Sequence, residues 1–193
     1  MKHFGFDLDN TLVDYSKSCA TYCIKNGIPI MHTIGELRSY LKPEKVDTEN
    51  WTMAQAWLYT EGIEFATISD GAIEFIDELS DNGWKLSIHS HKTQNIPLKF
   101  GGTPLRINFI NWFNNSPLEQ HFQIGNNLFF YDSLIEKLEG ISNSNLSHYV
   151  DDLPKVFESS SYPRRLKSFL FRNKAEDLDW VTQIDNFTEI EYL

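Results

Sequence analysis

The stretch Phe6-Asp7-Leu8-Asp9-Asn10-Thr11-Leu12 decides the fold prediction, because an apolar segment ends there in two carboxylates two residues apart. Residues 3–8 are apolar without clean alternation, which is typical of a strand buried in a parallel sheet. With strand geometry persisting to Asp7 and a turn following, Asp7 and Asp9 can converge on one pocket. Such a pair suits a divalent metal, or a nucleophile beside an acid/base. As an alternative, Asp9 or Asn10 caps a solvated turn.

Four further apolar segments predict strands of the same sheet, at 84–89, 127–130, 147–150 and 167–171. Helical patterns separate them: one opened by Ser69-Asp70-Gly71 and closed by Asn82-Gly83, one over 103–115 and one over 133–138, and a last helix is predicted over 177–190. This alternation predicts an α/β fold, a doubly wound and mainly parallel Rossmann-like sheet of five main strands. Ligands of such sheets bind beyond the carboxyl ends of the strands.

The interval between Asp7 and Ser90 is about 50 residues longer than the roughly 30 that one strand-helix-strand unit takes. The surplus is mostly helical in pattern, with helices predicted over 16–26, 33–41 and 48–60. We therefore predict a core domain formed by 1–14 and 69–193. A small helical cap formed by 15–68 is expected over the carboxyl end of the sheet.

Composition narrows the choice of partners. The 193 residues carry a net charge of −10, from 17 Lys and Arg against 27 Asp and Glu. A field of this sign repels phosphate backbones and anionic membrane surfaces, so no nucleic-acid or membrane partner is expected. The N-terminal residues form no signal peptide and no stretch is long enough to span a bilayer, so a cytoplasmic protein is expected. Cys19 and Cys23 are predicted to be free thiols.

A second pair of carboxylates, Asp151-Asp152, directly follows the apolar segment His148-Tyr149-Val150. Adjacent carboxylates at a strand end repel one another unless a cation intervenes, and Mg²⁺ prefers oxygen ligands. The alternative is a helix or turn cap before Pro154. Ser90 ends a predicted strand and Lys137 precedes Asp151 by fourteen positions, so both can reach the same pocket. Taken singly, they also fit an ordinary strand-end serine and a surface lysine.

In combination these residues resemble the haloacid dehalogenase-like superfamily, specifically its phosphatase-like members with a small helical cap, over essentially the whole chain. The signature Asp-x-Asp-x-Thr is present at 7–11, followed in the family's order by Ser90, Lys137 and the pair Asp151-Asp152. Lys92 and Lys99 are rival candidates for the lysine, and the choice between Lys137 and Lys92 stays open.

The resemblance implies roles for these residues. Asp7 would attack phosphorus to give an aspartyl phosphate, and Asp9 would serve as acid and then base. Ser90 and Lys137 would bind the phosphoryl oxygens. The residues implied in holding Mg²⁺ are Asp7, Asp9 through its carbonyl, Asp152 as the favoured direct ligand and Asp151 as its outer partner. The residues implied in substrate binding are Asn10, Thr11, Ser90, His91 and Lys92.

These inferences favour a Mg²⁺-dependent phosphomonoester hydrolase that acts on a small phosphorylated metabolite, such as a nucleotide or a sugar phosphate. An alternative is a catalytically idle protein of the same fold that binds a phosphorylated ligand or a protein partner. No Gly-rich Lys-Ser/Thr loop occurs in the sequence, so a kinase dependent on a nucleoside triphosphate is not supported. The sequence does not decide the physiological substrate or the oligomeric state.

Overall fold

The computed structural model describes residues 2–42, 49–173, 175 and 177–191. The chain forms two compact units, the first made of 1–12, 68–92 and 117–193 and the second of 13–67 and 93–116. Within the described residues, no helix is both long enough and apolar enough to cross a membrane.

The described residues form strands, α-helices and short 3-10 turns. The strands are β1 (His3–Phe6), β2 (Val13–Asp14), β3 (Thr67–Ile68), β4 (Lys85–His91), β5 (Leu128–Tyr131), β6 (His148–Asp151), β7 (Lys167–Phe171) and β8 (Thr182–Ile184). The α-helices are α1 (Ser16–Asn26), α2 (Ile34–Leu41), α3 (Glu49–Leu58), α4 (Ala72–Asp81), α5 (Leu105–Phe113), α6 (Leu134–Asn143) and α7 (Pro154–Glu158). Short 3-10 turns lie at Glu61–Phe65, Leu98–Phe100, Pro117–Gln120 and Phe187–Glu189.

The first unit is built on one six-stranded sheet with the order β5-β4-β1-β6-β7-β8, in which all neighbouring strands are parallel. This confirms the predicted α/β fold. In the register of the sheet, Phe6 at the end of β1 lies opposite Ile88 of β4 and Val150 of β6. Because the strands are parallel, the polar residues that follow these positions share one edge of the sheet.

Strand β1 lies between β4 and β6 in the sheet, and it packs closely on both faces. Phe4 and Phe6 are fully buried, and both rings contact the ring of Phe75 in α4, at centroid distances of 5.3 and 6.3 Å. On the opposite face Gly5 is required, since a Cβ there would lie 2.5 Å from Leu146 and 2.8 Å from Tyr149. The glycine therefore permits the close approach of β6 and its flanking residues to β1.

The helix predicted over 177–190 was wrong. This segment forms the sixth strand, β8, followed by the 3-10 turn Phe187–Glu189. Val181, Ile184 and Phe187 are buried at a spacing of three, which imitates a helix in sequence. Ile184 instead pairs with Phe171 of β7, and the side chain of Asn186 accepts from the Thr188 N–H and starts a new turn. The available edge of the sheet therefore decided the conformation.

The second unit contains α1, α2, α3 and α5. Helix α1 has the predicted bounds, because Gly27 at φ 62° ends it in the left-handed conformation. A capping box of Thr33 and Glu36 starts α2. The predicted start of the next helix at residue 48 lies outside the described residues. Cys19 and Cys23 of α1 are free and buried, as predicted.

The second unit overlaps the predicted cap over residues 15–67. It also includes 93–116, and with them α5, which the sequence prediction had assigned to the core. Helix α5 contacts the 3-10 turn Glu61–Phe65 of the same unit. The division into a core domain and a cap domain stays a prediction.

Candidate active site

The end of β1 holds Asp7 in a buried position directly after the strand. Its backbone N–H donates to the carbonyl oxygen of Val150 in β6 at 2.8 Å, so the strand pairing extends to Asp7. The turn that follows contains Asn10 at φ 61°, a left-handed conformation that asparagine tolerates better than most residues. The buried Thr11 hydroxyl donates to Asp7 Oδ2 at 3.3 Å. The motif therefore folds as a strand and a tight turn that returns Thr11 to the carboxylate of Asp7.

Helix α6 brings Lys137 to the same carboxylate. The helix begins after Ser133, whose hydroxyl oxygen accepts from the Glu136 N–H at 3.2 Å. One residue later, Lys137 is only 1% exposed, and its Nζ donates to Asp7 Oδ1 at 2.5 Å and to Asp151 Oδ2 at 2.7 Å. Lys137 is thus not the exposed surface lysine that the sequence had left as an alternative.

The acidic pair at the end of β6 has two different environments. Asp151 is fully buried; its Oδ2 accepts from the Tyr149 hydroxyl at 3.0 Å as well as from Lys137, and its Oδ1 accepts from the Leu153 N–H at 2.9 Å. Asp152 is partly buried, and its Oδ2 accepts from Asn10 Nδ2 at 3.3 Å. Both oxygens of Asp151 are therefore used on donors of the protein, as suits an outer partner of a metal site.

The oxygens of Asp7, Asp151 and Asp152 could hold a metal ion. One carboxylate oxygen from each lies within 4.8 Å of those of the other two. A set of carboxylate oxygens on a parallel-sheet edge fits a hard divalent cation such as Mg²⁺. Asp9, which the sequence also assigned to the metal, does not add its carboxylate to this group; the role predicted for it uses its backbone carbonyl.

The electrostatics of the site favour an added positive charge. Lys137 forms ion pairs with two carboxylates, Asp7 and Asp151, and the carboxylate of Asp152 lies close to both. Burial, together with the negative charge of Asp151, raises the pKa of Asp7 to about 7 although Lys137 opposes the shift. Burial and the charges of Asp7 and Asp151 also raise the pKa of Asp152 well above its usual range. Burial disfavours the charge of Lys137, but the attraction of Asp151 and Asp7 outweighs it and raises the pKa of this lysine.

A second buried lysine lies with the other aspartate of the motif. Lys92, the residue after β4, is 2% exposed, and its Nζ donates to Asp9 Oδ1 at 3.0 Å and to Asp9 Oδ2 at 2.7 Å. The sequence had left open whether Lys137 or Lys92 is the phosphate-binding lysine. In the structure Lys137 forms an ion pair with Asp7 and Lys92 forms one with Asp9, so the two lysines contact different carboxylates.

Strand β4 carries Ser90 and two histidines of unlike surroundings. Ser90 is buried and lies two register positions beyond the residue that pairs with Phe6, at the site edge of the sheet. His91 is at the end of the strand, where burial and the charge of Lys137 lower its pKa. His89 is fully buried and hydrogen-bonded through both ring nitrogens, to Ser87 and to Tyr131, so its surroundings are those of a structural histidine.

Tyr149 is a residue of the site that the sequence reasoning missed. Its hydroxyl donates to Asp151, and its ring centroid is 6.0 Å from Lys137 Nζ. A signal was present, because side chains two residues apart in a strand point to the same face, and Tyr149 precedes Asp151 by two. The ion pair of Asp9 with Lys92 was also not predicted, since 83 positions separate its members.

Comparison with known proteins supports the fold through structure alone. No protein-family model matches the sequence, and no match was found among curated proteins. A haloacid dehalogenase-like family hydrolase from Streptococcus pneumoniae matches at a TM-score of 0.63 and 15% identity, over 98% of this chain and 96% of its own. A predicted phosphatase from Clostridium acetobutylicum matches at 0.58 and 16% identity, over 89% and 84%.

The same fold also occurs in a protein described as a kinase. Protein Tyrosine Kinase A from Mycobacterium tuberculosis matches at a TM-score of 0.65 and 15% identity, over 97% of this chain and 95% of its own. The chain therefore has the fold of haloacid dehalogenase-like hydrolases, as the resemblance predicted. Because proteins of this fold are described by different activities, the reaction has to be argued from the site.

Proposed function

We propose that this protein is a Mg²⁺-dependent phosphomonoester hydrolase that acts through an aspartyl phosphate on Asp7. The proposal is carried by one observation, the convergence of Asp7, Asp151 and Asp152 at one edge of the sheet, where Lys137 pairs with Asp7 and Asp151. Buried charges are costly unless they are paired, and three carboxylates with one lysine leave negative charge in excess. A divalent cation would balance this excess and draw a phosphate group to the site.

The donor set fits Mg²⁺, with Asp7, Asp152 and the backbone carbonyl of Asp9 as the residues that would hold it and Asp151 behind them. When bound, the ion supplies positive charge that offsets the charge of the carboxylates and of the phosphoryl oxygens. Lys137 and Ser90 would hold phosphoryl oxygens. The remaining residues proposed to line the substrate are Asn10, Thr11 and His91, whereas Lys92 contacts Asp9 and is almost fully buried.

The chemistry proposed for the chain's own residues has two steps. A carboxylate oxygen of Asp7 forms a bond to phosphorus while the bond from phosphorus to the leaving oxygen breaks, and Asp9 donates a proton to that oxygen. Asp9 then takes a proton from water as the water oxygen bonds to phosphorus, while the bond from phosphorus to the Asp7 oxygen breaks. Inorganic phosphate leaves, and the carboxylate of Asp7 is regenerated.

The proposed substrate is a small phosphorylated metabolite, such as a nucleotide or a sugar phosphate, in the cytoplasm. The net charge of −10 supports a small ligand over a polyanion, because the site supplies its positive charge locally through Lys137 and the metal.

The test is phosphate release from p-nitrophenyl phosphate at near-neutral pH, with Mg²⁺ or with EDTA. Wild type and Asp7→Asn are compared, with Asp81→Asn at an exposed helix end as the matched control. We expect release only with Mg²⁺, a loss of about 10³-fold or more in Asp7→Asn and an unchanged rate in Asp81→Asn. Equal rates for wild type and Asp7→Asn would exclude the aspartyl phosphate.

A second measurement distinguishes the phosphatase from the alternative, a catalytically idle binding protein of the same fold. Titration calorimetry with Mg²⁺ should show binding to the wild type and its loss in Asp152→Ala. Metal binding without any phosphate release, across a panel of phosphate esters, would favour the idle alternative. Absence of metal binding in the wild type would remove the basis of the active-site assignment.

A further inference from the structure

The ion pair between Lys92 and Asp9 joins two distant parts of the chain at the candidate site. Asp9 belongs to the turn after β1, and Lys92 follows the last residue of β4. The ammonium group contacts both carboxylate oxygens, at 3.0 and 2.7 Å. Two bonds from one donor restrict rotation of the carboxylate about its side-chain torsions, so its direction is set by the end of a neighbouring strand.

The two members of the pair differ in exposure. The Lys92 side chain is 1% exposed, whereas the Asp9 side chain is 15% exposed. The carboxylate is thus the accessible member, and the ammonium group lies behind it in the protein. A buried lysine held by a carboxylate is costly to maintain by itself, because the desolvation of the charge opposes the gain from pairing.

Lys137 provides the contrast. It contacts Asp7, the residue proposed to bond to phosphorus, and it is also held by Asp151. Lys92 contacts Asp9, the residue proposed to transfer a proton to the leaving oxygen. The two lysines therefore contact carboxylates with different proposed roles, one in bonding to phosphorus and one in protonating the leaving oxygen.

We infer that Lys92 is a positioning residue that aims the Asp9 carboxyl group at the leaving oxygen of the substrate. The inference rests on the proposed phosphatase function and deepens it by assigning a residue to the leaving-group side of the site. Lys92 acts through Asp9 and does not itself hold the phosphoryl group. Its loss then matters most for esters whose leaving oxygen needs a proton.

Two single-ring esters separate this role from phosphate binding. The alcohol that leaves benzyl phosphate is a poor leaving group and needs a proton, whereas p-nitrophenolate leaves readily without one. Wild type, Lys92→Met, Asp9→Asn and the double variant are compared on both esters in the presence of Mg²⁺. Lys85→Met, at an exposed position of the same strand, is the matched control.

We expect Lys92→Met to lower kcat on benzyl phosphate by about 10- to 100-fold, a share of what a general acid contributes, and kcat on p-nitrophenyl phosphate by less than about threefold. In the Asp9→Asn background the same substitution should cause little further loss, because the two residues act as one unit. Lys85→Met should leave the ratio of the two kcat values at the wild-type level.

The ratio of the two kcat values is measured on one sample, so partial unfolding of Lys92→Met does not alter it. If that variant cannot be obtained folded, Lys92→Arg keeps the charge but changes the bonding geometry, and the ratio should shift in the same direction by a smaller amount. Equal losses on both esters, or losses that add to those of Asp9→Asn, would overturn the inference alone. Hydrolysis of neither ester by the wild type would overturn the phosphatase function together with this inference.

Discussion

Two groups of polar side chains packed at the six-stranded sheet can be compared directly. At the carboxyl edge, Lys137 bridges Asp7 and Asp151, and all three residues are almost fully buried. Within β4 and its neighbours, a chain of hydrogen bonds runs from His3 to Ser87 at 2.9 Å, from Ser87 to His89 at 3.0 Å and from His89 to Tyr131 at 3.0 Å. One group is ionic and the other is a chain of neutral donors and acceptors.

Burial disfavours the charged form in both groups, and this shifts the pKa of an acid and of a base in opposite directions. It raises the pKa of Asp7 to about 7, and it lowers the pKa of His89 to about 3, so the histidine stays neutral at physiological pH. The neutral chain is satisfied internally, and Gly140 of α6 leaves the space in which the Tyr131 hydroxyl lies. In the ionic group, the one charge of Lys137 cannot balance Asp7, Asp151 and the nearby Asp152 when all three are ionised. A buried polar group that is neutral and satisfied supports structure, whereas one with unbalanced charge indicates a ligand.

The largest effect should come from removing the cation of the ionic group. Lys137→Met leaves the buried carboxylates of Asp7 and Asp151 without the lysine that pairs with both, so we expect the free energy of unfolding to fall by about 3–5 kcal/mol at pH 8 in EDTA. Urea unfolding followed by circular dichroism measures this change. Lys85→Met, which removes an exposed lysine, should change stability by less than about 0.5 kcal/mol. If Lys137→Met lost no more stability than Lys85→Met does, the carboxylates of Asp7 and Asp151 would not both be charged in the folded protein.

The next effect tests the neutral chain through pH. Because the folded-state pKa of His89 lies near 3, below the unfolded value of 6.5, its contribution to stability is fully present above pH 6.5. It is lost as the pH falls from 6.5 towards 3, by up to about 1.4 kcal/mol per pH unit. Between pH 6.5 and 5 we expect the wild type to lose about 2 kcal/mol more than His89→Gln does in urea unfolding.

The control for this pH experiment is His32→Gln, at an exposed position, which should lose stability with acid as the wild type does. A wild type and a His89→Gln variant with parallel pH profiles would show that His89 does not need to remain neutral in the folded protein.

The smallest effect should come from Asp152, a partly buried carboxylate beside the ionic group. In EDTA at pH 8, Asp152→Asn removes a charge whose pKa is raised by burial and by its acidic neighbours, so stability should rise by about 1 kcal/mol. With Mg²⁺ added, the wild type should be stabilised and the variant should not. Thermal unfolding with and without Mg²⁺ measures both signs. If Mg²⁺ stabilised Asp152→Asn as much as the wild type, Asp152 would not be a ligand of the metal.

Local patterns predicted the regular elements well where they agreed with the tertiary structure. Helix α1 and strand β7 have the predicted bounds, since Gly27 ends the first and the second is a continuous apolar segment. The prediction for the segment 177–190 was wrong because its apolar spacing of three suits a helix. The segment forms a strand because it pairs with the edge of β7. A helix pattern does not show which unit a helix packs against, so the sequence could not place α5 with the residues 13–67 that share its unit.

The candidate site could be predicted in its residues but not in its pairings. Asp7 and the pair Asp151-Asp152 follow apolar strands, so their convergence follows from a parallel sheet. The sequence left Lys137 and Lys92 as rivals. The structure pairs each with a different aspartate, across 130 positions for Lys137 and Asp7 and 83 for Lys92 and Asp9. No local spacing rule covers such distances.

The sequence by itself determined the order of the five main strands along the chain and the edge of the sheet to which the carboxylates belong, because both depend on short-range patterns and on the parallel arrangement that they imply. Only the tertiary structure decided which lysine meets which carboxylate, that Tyr149 supports Asp151 and that the C-terminal segment adds a strand. The physical reason is that ion pairs, buried hydrogen bonds and edge pairing depend on distances in space, which the fold sets after the local elements have formed.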